Sequence, residues 1–444
     1  MNVLWFVVDT LRADHLSCYG YFRKTSPNID RLAEEGVLFE NSYASAIATG
    51  PGFTSLFTGR AAINHGFYLT PWNVPNAPLL DDRIVTLPEW IQVRGDYTTA
   101  AFDNLINFRS HMKQFVRGFE FYVNVTRSPA WLHHHIIADE VNHRLLPWLE
   151  RHRDEPFFAF VHYWDPHTPY NMPDRFRGTF DRKKGDLVTK SAPDGYEYVP
   201  GWGHADRLPT GNENQSIDLY DDEVFYTDYS IGLVREKLEA LGLLDETVLI
   251  VTSDHGEDLD LHGLWGHGTV HNTTIFVPTI IRDPKHLPQG ERVAGFVQHA
   301  DHLPTVLEYF PEQSRPEFGR AALTDWMPEI PQKFDGDSLL AVALGQRTAK
   351  EEIVVESGQH RAYIAPPWKL IWHKDGRKSE LFHLENDPLE LHNRAEEEKA
   401  VTAEVSEKLR DWVDRNLAGE RTDPIFGSNG AWTCYIGKKG ERGR

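Results

Sequence analysis

The chain is poor in cysteine and has no hydrophobic run long enough to cross a membrane. Cys18 and Cys434 are its only cysteines, so no framework of disulfides holds this fold together. The apolar run at residues 3–8 is too short for a membrane span, and no basic segment precedes it. We therefore predict that this run is a β-strand rather than a signal peptide, and that the protein is soluble and cytoplasmic.

Positive charge is also scarce relative to negative charge. Lys and Arg number 46 against 66 Asp and Glu, which gives a formal net charge of −20. Such a surface repels nucleic-acid backbones and anionic membranes, so we expect neither as a partner. Hydrophobic residues make up 40 % of the 444 residues, which is typical of a globular chain that buries a large core. A small anion bound in a local positive pocket remains compatible with this composition.

The densest group of candidate ligands lies within residues 248–281. Residues 248–252 form a short β-branched run typical of a buried strand, and Asp254 and His255 follow almost directly. A carboxylate and an imidazole at the end of a strand are well placed to hold a divalent cation. An isolated Asp-His pair in a polar loop is also common without a metal. Three more histidines follow among glycines: His262, His267 and His271.

Two further strand ends carry similar side chains. Residues 3–8 lead directly to Asp9, and residues 157–164 lead into a proline-rich loop that presents Asp165 and His167. Ligands in α/β sheets usually bind where such strands end. Taken alone, Asp9 fits equally well as the N-cap of a helix.

Thr49 is a candidate nucleophile at the start of a helix. A short strand is predicted to lead to Thr49, and a helix to begin near Pro51 and end at Gly59. The positive field at a helix N-terminus favours both an alkoxide and a bound anion. The structural alternative is that Thr49 serves only as an N-cap.

The remaining chain predicts a large α/β region and a smaller C-terminal one. Helices are predicted at 27–36, 84–94 and 220–241, strands at 97–102 and 157–164, and a polar insertion or lid at 175–215. After residue 345, short strands at 353–356, 361–364, 369–372 and 380–384 precede a helix that begins near Pro388 or Glu396 and ends at Leu417. These strands predict an antiparallel subdomain packed on the main sheet.

Two segments are harder to interpret. Three consecutive histidines at 133–135 look like a metal cluster, but adjacent helical residues point apart, so we interpret them as part of a helix surface. The tail at 419–444 is basic and glycine-rich, yet it carries apolar anchors. We expect these anchors to pack over the site or on a neighbouring chain in a homo-oligomer. They are Phe426, Trp432 and Tyr435.

Taken in order, these segments resemble the sulfatase branch of the alkaline phosphatase superfamily. The resemblance is carried by VVDTLRADHLSCYGY at 7–21, TGPGFTSLFTGR at 49–60, YWDPHTPY at 163–170, SDHGEDLDLHGLWGHGT at 253–269 and ELFHLENDPLELHNRA at 380–395. It implies a central mixed sheet sandwiched by helices over residues 1–345. It also implies a small C-terminal antiparallel α+β subdomain over residues 346–444.

The resemblance also implies a site. Asp9, Asp254 and His255 would bind one divalent metal ion, and Thr49, at the nucleophile position, would also contact it. Mixed oxygen and nitrogen ligands suit Mn, Zn or, less well, Ca. His167 and His267 would contact the transferred group or protonate the leaving group, and many sulfatases have lysine in place of His267. Asn104 and His262 would bind substrate. Spare donors for a second ion are Asp14, Asp165, His167 and His262.

This sequence departs from the family at several positions of that site. The Cys/Ser-x-Pro-x-Arg motif, whose first residue becomes formylglycine, reads Thr49-Gly50-Pro51-Gly52-Phe53 here. Threonine cannot give the aldehyde, so we expect no formylglycine. Two family cations are missing, because Phe53 replaces arginine and Asp103-Asn104 replaces a lysine. Thr10 replaces one of two paired aspartates.

These departures favour phosphorus over sulfur. A plain threonine ester must be hydrolysed at its central atom, which is routine for phosphorus and slow for sulfur. A pocket with fewer cations suits a monoanionic ester. We predict a metal-dependent hydrolase of small anionic phosphodiesters or phosphonate monoesters, acting through Thr49 and a phospho-enzyme intermediate. The alternatives are a sulfatase acting without formylglycine and a non-catalytic binding protein with the sulfatase fold.

Overall fold

The structure is a computed structural model, and the features below concern the residues that it describes. No helix among these residues is long and apolar enough to cross a membrane. The histidines at 133–135, most of the 175–215 insertion, and Trp432 and Tyr435 of the tail lie outside them. The described residues are 1–68, 80–104, 113–124, 137–168, 170–180, 217–259, 261–262, 264–312, 333–419 and 422–427.

A mixed sheet of eight strands forms the centre of the molecule. The first ten strands are β1 (Asn2–Val8), β2 (Val37–Tyr43), β3 (Thr98–Asp103), β4 (Phe121–Asn124), β5 (Phe157–Tyr163), β6 (Thr247–Ser253), β7 (Asp258–Leu259), β8 (Trp265–Gly266), β9 (Thr279–Arg282) and β10 (Glu291–Gln298). The sheet order is β10-β2-β9-β6-β1-β5-β3-β4, while β7 pairs with β8. Within the sheet β9 alone runs antiparallel to its neighbours, so the other seven strands end at one edge.

Helices cover both faces of this sheet. Alternate residues of β1 enter two separate apolar cores, as the two-residue period of a strand requires. The helices are α1 (Pro27–Glu34), α2 (Thr49–Thr58), α3 (Ala62–His65), α4 (Leu87–Arg94), α5 (Ala138–Arg151), α6 (Ile217–Ala240), α7 (Asn272–Ile275), α8 (His302–Glu308), α9 (Leu339–Ala343), α10 (Lys399–Leu417) and α11 (Pro424–Gly427). Leu4 and Phe6 pack with α1, α5 and α6, whereas Val3 and Trp5 pack with α2, α4 and α8.

A second, smaller sheet follows the main one in the chain. Its strands are antiparallel throughout: β11 (Ile353–Glu356), β12 (His360–Ala365), β13 (Trp368–His373) and β14 (Glu380–His383). Helix α10 packs on it through Val405 and Leu409 and begins at Lys399, later than the sequence suggested. The predicted fold class is confirmed, with helices on both faces of a mixed sheet and an antiparallel unit after it. The division at residues 345 and 346 stays a prediction.

Candidate active site

The register of the central strands brings the predicted ligands to one edge of the sheet. Strand β1 is parallel to both β5 and β6, and its last residue, Val8, lies opposite Tyr163 and Ser253. Asp9 and Asp254 therefore leave the sheet side by side. The loop that carries His167 leaves from the strand on the other side of β1, as expected for a site at the carboxyl ends of parallel strands.

Asp9, Asp254 and His255 form a compact group, called the metal cluster below. One ligand atom from each lies within 4.8 Å of the other two, and all three side chains are 0 % exposed. Neither Asp9 oxygen accepts a hydrogen bond from a described residue, and Asp254 Oδ2 does not either. Leaving such buried carboxylates unsatisfied costs several kcal/mol, on the order given for unpaired buried charges. A divalent cation would satisfy them, so the donor set fits a metal ion.

The other atoms of the metal cluster are held by the backbone. Asp254 Oδ1 accepts hydrogen bonds from the amides of Thr10 at 3.2 Å and His255 at 2.9 Å. His255 Nδ1 lies 2.8 Å from the carbonyl oxygen of Gly256, which can only accept a hydrogen bond. The proton of His255 is therefore on Nδ1, and Nε2 presents its lone pair to a ligand.

Thr49 lies next to the metal cluster. Its hydroxyl oxygen is 3.2 Å from His255 Nε2, and the residue is 3 % exposed. Helix α2 begins at Thr49 itself, two residues earlier than predicted, and its N-cap is Ala48. The strand expected to lead to Thr49 ends at Tyr43. Thr49 is thus in the first turn rather than a cap, and its side chain faces the metal cluster.

The first turn of α2 is pressed against the strand end that carries Asp254. A Cβ atom added to Gly52 would lie 2.6 Å from the carbonyl oxygen of Asp254, closer than real Cβ atoms approach backbone. Glycine at this position therefore lets the helix that carries Thr49 approach the ligand strand.

A second group of donors adjoins the first. His167, Glu257 and His267 also place one ligand atom each within 4.8 Å of the other two. The rings of His267 and His255 are 4.2 Å apart between centroids, and those of His267 and His167 are 5.2 Å apart. Burial lowers the pKa of His267 to about 4 and raises the pKa of Glu257 to about 7.

Sequence reasoning did not assign a role to Glu257. It stands two residues after His255, in the loop between β6 and β7 that carries the candidate ligands. Its nearness in sequence to Asp254 and His255 is the signal that could have identified it.

His162 is another site residue that sequence reasoning missed. Its Nδ1 lies 2.9 Å from Asp103 Oδ1, and its Nε2 lies 3.5 Å from Asp9 Oδ2. Burial opposes the charged form, but the hydrogen bond with Asp103 and the nearby Asp9 carboxylate raise the pKa of His162 to about 9. Phe53, at the position of the family arginine, packs its ring edge-to-face on His162 with centroids 4.9 Å apart. The pocket therefore keeps one buried cation where the sequence suggested a loss of two.

Two of the suggested spare donors have partners outside the two groups of ligand residues. Asp14 forms an ion pair with Arg12 at 2.6 Å, and Asp165 accepts a hydrogen bond from the amide of Ala138 at 2.8 Å. Neither belongs to the two groups of donors at the sheet edge. Of the spare donors, His167 alone lies in one of these two groups.

The two predicted substrate-binding residues occupy different surroundings. Asn104 is fully buried just after β3. His262 belongs to a third group with His271 and Glu390, and its Nε2 is 3.0 Å from the carbonyl oxygen of Leu389. Their roles in substrate binding stay predictions. Of the tail, Phe426 is described; it is 55 % exposed, and the oligomer also stays a prediction.

The fold and the sheet-edge site define a member of the sulfatase family, within the alkaline phosphatase superfamily. The Sulfatase family model matches residues 1–312, so the chain belongs to this family, whose enzymes use a divalent metal ion. Its relatives include the multifunctional alkaline phosphatase superfamily protein PehA of Trinickia caryophylli, which is 26 % identical over 95 % of this chain and 98 % of its own length. Iduronate 2-sulfatase of Homo sapiens is 26 % identical over 69 % of this chain and 65 % of its own.

Solved structures show the same fold. The phosphonate monoester hydrolase of Agrobacterium radiobacter has a TM-score of 0.71 at 22 % identity, covering 94 % of this chain and 96 % of its own. A 2-O GAG sulfatase has a TM-score of 0.70 at 19 % identity, covering 94 % and 92 %. The predicted resemblance is therefore confirmed at the level of family and fold.

Proposed function

We propose that this protein is a metal-dependent hydrolase of phosphodiester or phosphonate monoester bonds, with Thr49 as its nucleophile. The observation that carries the proposal is the position of the Thr49 hydroxyl, 3.2 Å from Nε2 of His255 in the metal cluster. No cysteine or serine stands at this position, so the aldehyde that sulfatases use is not available here.

The chain supplies the parts of a displacement at phosphorus. A divalent cation bound by the metal cluster would lower the pKa of the Thr49 hydroxyl and offset charge on the ester. Thr49 Oγ1, after loss of its proton, forms a bond to phosphorus as the bond to the leaving oxygen breaks, and the leaving group takes up a proton and departs as an alcohol. Water then hydrolyses the phosphothreonine, which regenerates the hydroxyl and releases the phosphate monoester or the phosphonate. His267, whose ring lies beside that of His255, and His167, whose ring lies beside that of His267, are assigned to the leaving oxygen.

Charge in the pocket supports a monoanionic substrate. Phe53, where the family motif has arginine, forms a T-shaped ring contact with His162. The charge of His162 is directed at Asp103 and Asp9, so it is largely offset by those carboxylates. A dianionic monoester needs more fixed positive charge than a phosphodiester or phosphonate monoester.

The second candidate function is sulfate-ester hydrolysis without formylglycine. It is favoured by the relatives named iduronate 2-sulfatase and N-acetylglucosamine-6-O-sulfatase, which are similar over 69 % and 88 % of this chain. A non-catalytic binding role is the weaker candidate. A protein without a metal would have little reason to bury the unsatisfied oxygens of Asp9 and Asp254.

The test is hydrolysis of matched p-nitrophenyl esters by metal-replete protein. The panel contains a sulfate, a phosphate, a phosphodiester and a phosphonate monoester, and Thr49→Ala and Thr49→Ser are assayed beside the wild type. We expect the phosphodiester or phosphonate monoester to be the best substrate. Turnover should fall at least about 10³-fold in Thr49→Ala, because the nucleophile is lost, and fall less in Thr49→Ser.

Other outcomes would select the alternatives. Sulfate as the best substrate would replace the proposal by the sulfatase reading. Absence of turnover on all four esters would favour the binding role. Full turnover in Thr49→Ala would show that the nucleophile is another group. The intact mass of the peptide spanning residues 49–60 gives a direct check that Thr49 is unmodified.

A further inference from the structure

We propose that a second divalent cation binds to His167, Glu257 and His267, beside the cation of the metal cluster. These three residues are called the second cluster below. Binding of this ion does not depend on the proposed function; its assignment to the leaving oxygen does.

The second cluster has the composition and access of a catalytic cation site. Two imidazoles and one carboxylate approach one another within 4.8 Å. Glu257 is 2 % exposed and His267 is 4 % exposed, whereas His167 is half-buried. Three protein ligands with one open side are typical of a catalytic zinc ion, and mixed nitrogen and oxygen donors also suit manganese.

The tautomer of His167 is set for ligation. Its Nδ1 lies 2.5 Å from the carbonyl oxygen of Thr168, which can only accept a hydrogen bond. The proton must therefore be on Nδ1, and the lone pair on Nε2 is left for a cation. Metal-binding histidines commonly donate their other N–H to a backbone carbonyl in this way.

Glu257 and His267 place donors for one ion side by side. Glu257 Oε2 is 3.1 Å from His267 Nδ1, a separation that suits two donors of one cation. Glu257 also supplies the carboxylate oxygen that a divalent cation favours among its ligands.

The placement of the carboxylates agrees with two ions. Asp9, Asp254 and Glu257 are all buried, and among the described residues their ion pairs are with histidines. Asp9 and Asp254 belong to the metal cluster, whereas Glu257 belongs to the second cluster. A cation beside Glu257 would also attract an anionic ester to the site.

Two neighbouring cations would divide the work of the displacement. Thr49 and the second cluster both contact His255, through a 3.2 Å approach of Oγ1 to Nε2 and a 4.2 Å separation of the His255 and His267 rings. Paired cations stabilise the attacking and the leaving oxygens of an in-line displacement. The second ion would then serve the leaving oxygen, so that His167 and His267 act on that oxygen through the ion rather than by direct contact.

The experiment measures metal content directly. Protein stripped with a chelator is reloaded with zinc or manganese, freed of unbound ion, and analysed by elemental and native mass spectrometry. We expect two ions per chain in the wild type. His267→Lys, which replaces a lone pair by a fixed charge, and Glu257→Gln should each retain one. His286→Ala is the matched control, since this 54 % exposed histidine pairs with Asp283 and should leave both ions bound.

The outcomes separate this proposal from the proposed function. One ion in the wild type, or two ions retained in both second-cluster variants, would overturn the second site even if phosphodiester turnover is found. Two ions in the wild type and one in the variants would support the site even if no ester is hydrolysed. Circular dichroism checks folding. If His267→Lys does not fold, His167→Asn replaces it, with the same expected loss of one ion.

Discussion

Two groups of histidine and carboxylate residues in this protein have the same composition and different surroundings. The second cluster, at the sheet edge, contains two histidines and a glutamate. The group formed by His262, His271 and Glu390 has the same three residue types. The latter group joins residues after β7 and β8 to residues after β14, and we call it the interface cluster. It contains its own cation, because the ammonium of Lys369 forms an ion pair with Glu390.

The difference lies in what satisfies the carboxylates. Burial opposes ionisation of Glu390, but Lys369 and then His271 hold its pKa down at about 2. The rings of His262 and His271 are stacked 4.0 Å apart with an interplanar angle of 17°, so their in-plane lone pairs do not converge. We therefore expect the ion pair of Lys369 with Glu390 to be structural, while substrate binding by His262 stays a prediction. Buried histidines next to carboxylates indicate a cation site only where no side-chain ammonium already provides the charge.

Among the variants that test the difference between cation-binding and structural clusters, we expect the largest effect from a substitution in the metal cluster. Asp254→Asn removes one negative charge from a fully buried ligand. We expect turnover of the best ester to fall about 10³- to 10⁴-fold and one bound ion to be lost, because activation of Thr49 depends on that cation. Steady-state kinetics and elemental analysis measure the two effects. Unchanged turnover would remove the metal cluster from the mechanism.

Substitutions in the interface cluster should change the stability of the fold rather than the rate of ester hydrolysis. Lys369→Met removes the ammonium partner of the buried Glu390 carboxylate, which should lower the free energy of unfolding by about 3 kcal/mol. Denaturant unfolding measures this change. Lys369→Met combined with Glu390→Gln should recover much of the loss, since no unpaired charge remains.

The control for this pair is Lys399→Met, since Lys399 is 76 % exposed and its ion pair with Glu396 is 3.7 Å long. It should change the free energy of unfolding by less than about 1 kcal/mol. A loss of bound metal ions on Lys369→Met, with folding intact, would contradict the separation between the two clusters.

The smallest expected effect concerns the support of Asp9. His162→Asn removes the nitrogen that faces Asp9, whereas His162→Gln keeps a donor near that place. Residues that orient metal ligands typically contribute 10- to 100-fold in metal affinity, so we expect a loss of about that size in His162→Asn and a smaller one in His162→Gln. Competition with a chelator of known affinity gives both values. Equal affinities in the two variants would show that His162 does not act through Asp9.

The sequence predicts the strand-end residues well because their placement follows from a simple rule. A parallel sheet brings the carboxyl ends of its strands together, so Asp9 and Asp254 had to be close once β1 and β6 were neighbours. His162 did not follow from this rule, since it lies within the apolar strand β5 and has no pattern that separates it from core residues. The ion pair between Lys369 and Glu390 could not be predicted either, because it forms only through tertiary packing.

The start of α2 is another feature that could not be predicted accurately from the sequence. Proline is favoured at the first helical position, which suggested Pro51. The structure uses Pro51 as the third residue, where its missing N–H also costs no intrahelical bond. Contact between Gly52 and the backbone of Asp254 accompanies the earlier start.

That contact at Gly52 limits how far Thr49 and Asp254 can shift relative to each other. Because the first turn of α2 packs on the carbonyl oxygen of Asp254, the proposed nucleophile and a proposed metal ligand are held by the same contact. A side chain at Gly52 would move both together or push them apart by a sizeable fraction of an ångström. Misplacement of about 1 Å can cost a reaction about 10²-fold. The lack of a Cβ atom at Gly52 is therefore a requirement for the geometry of the proposed catalytic site.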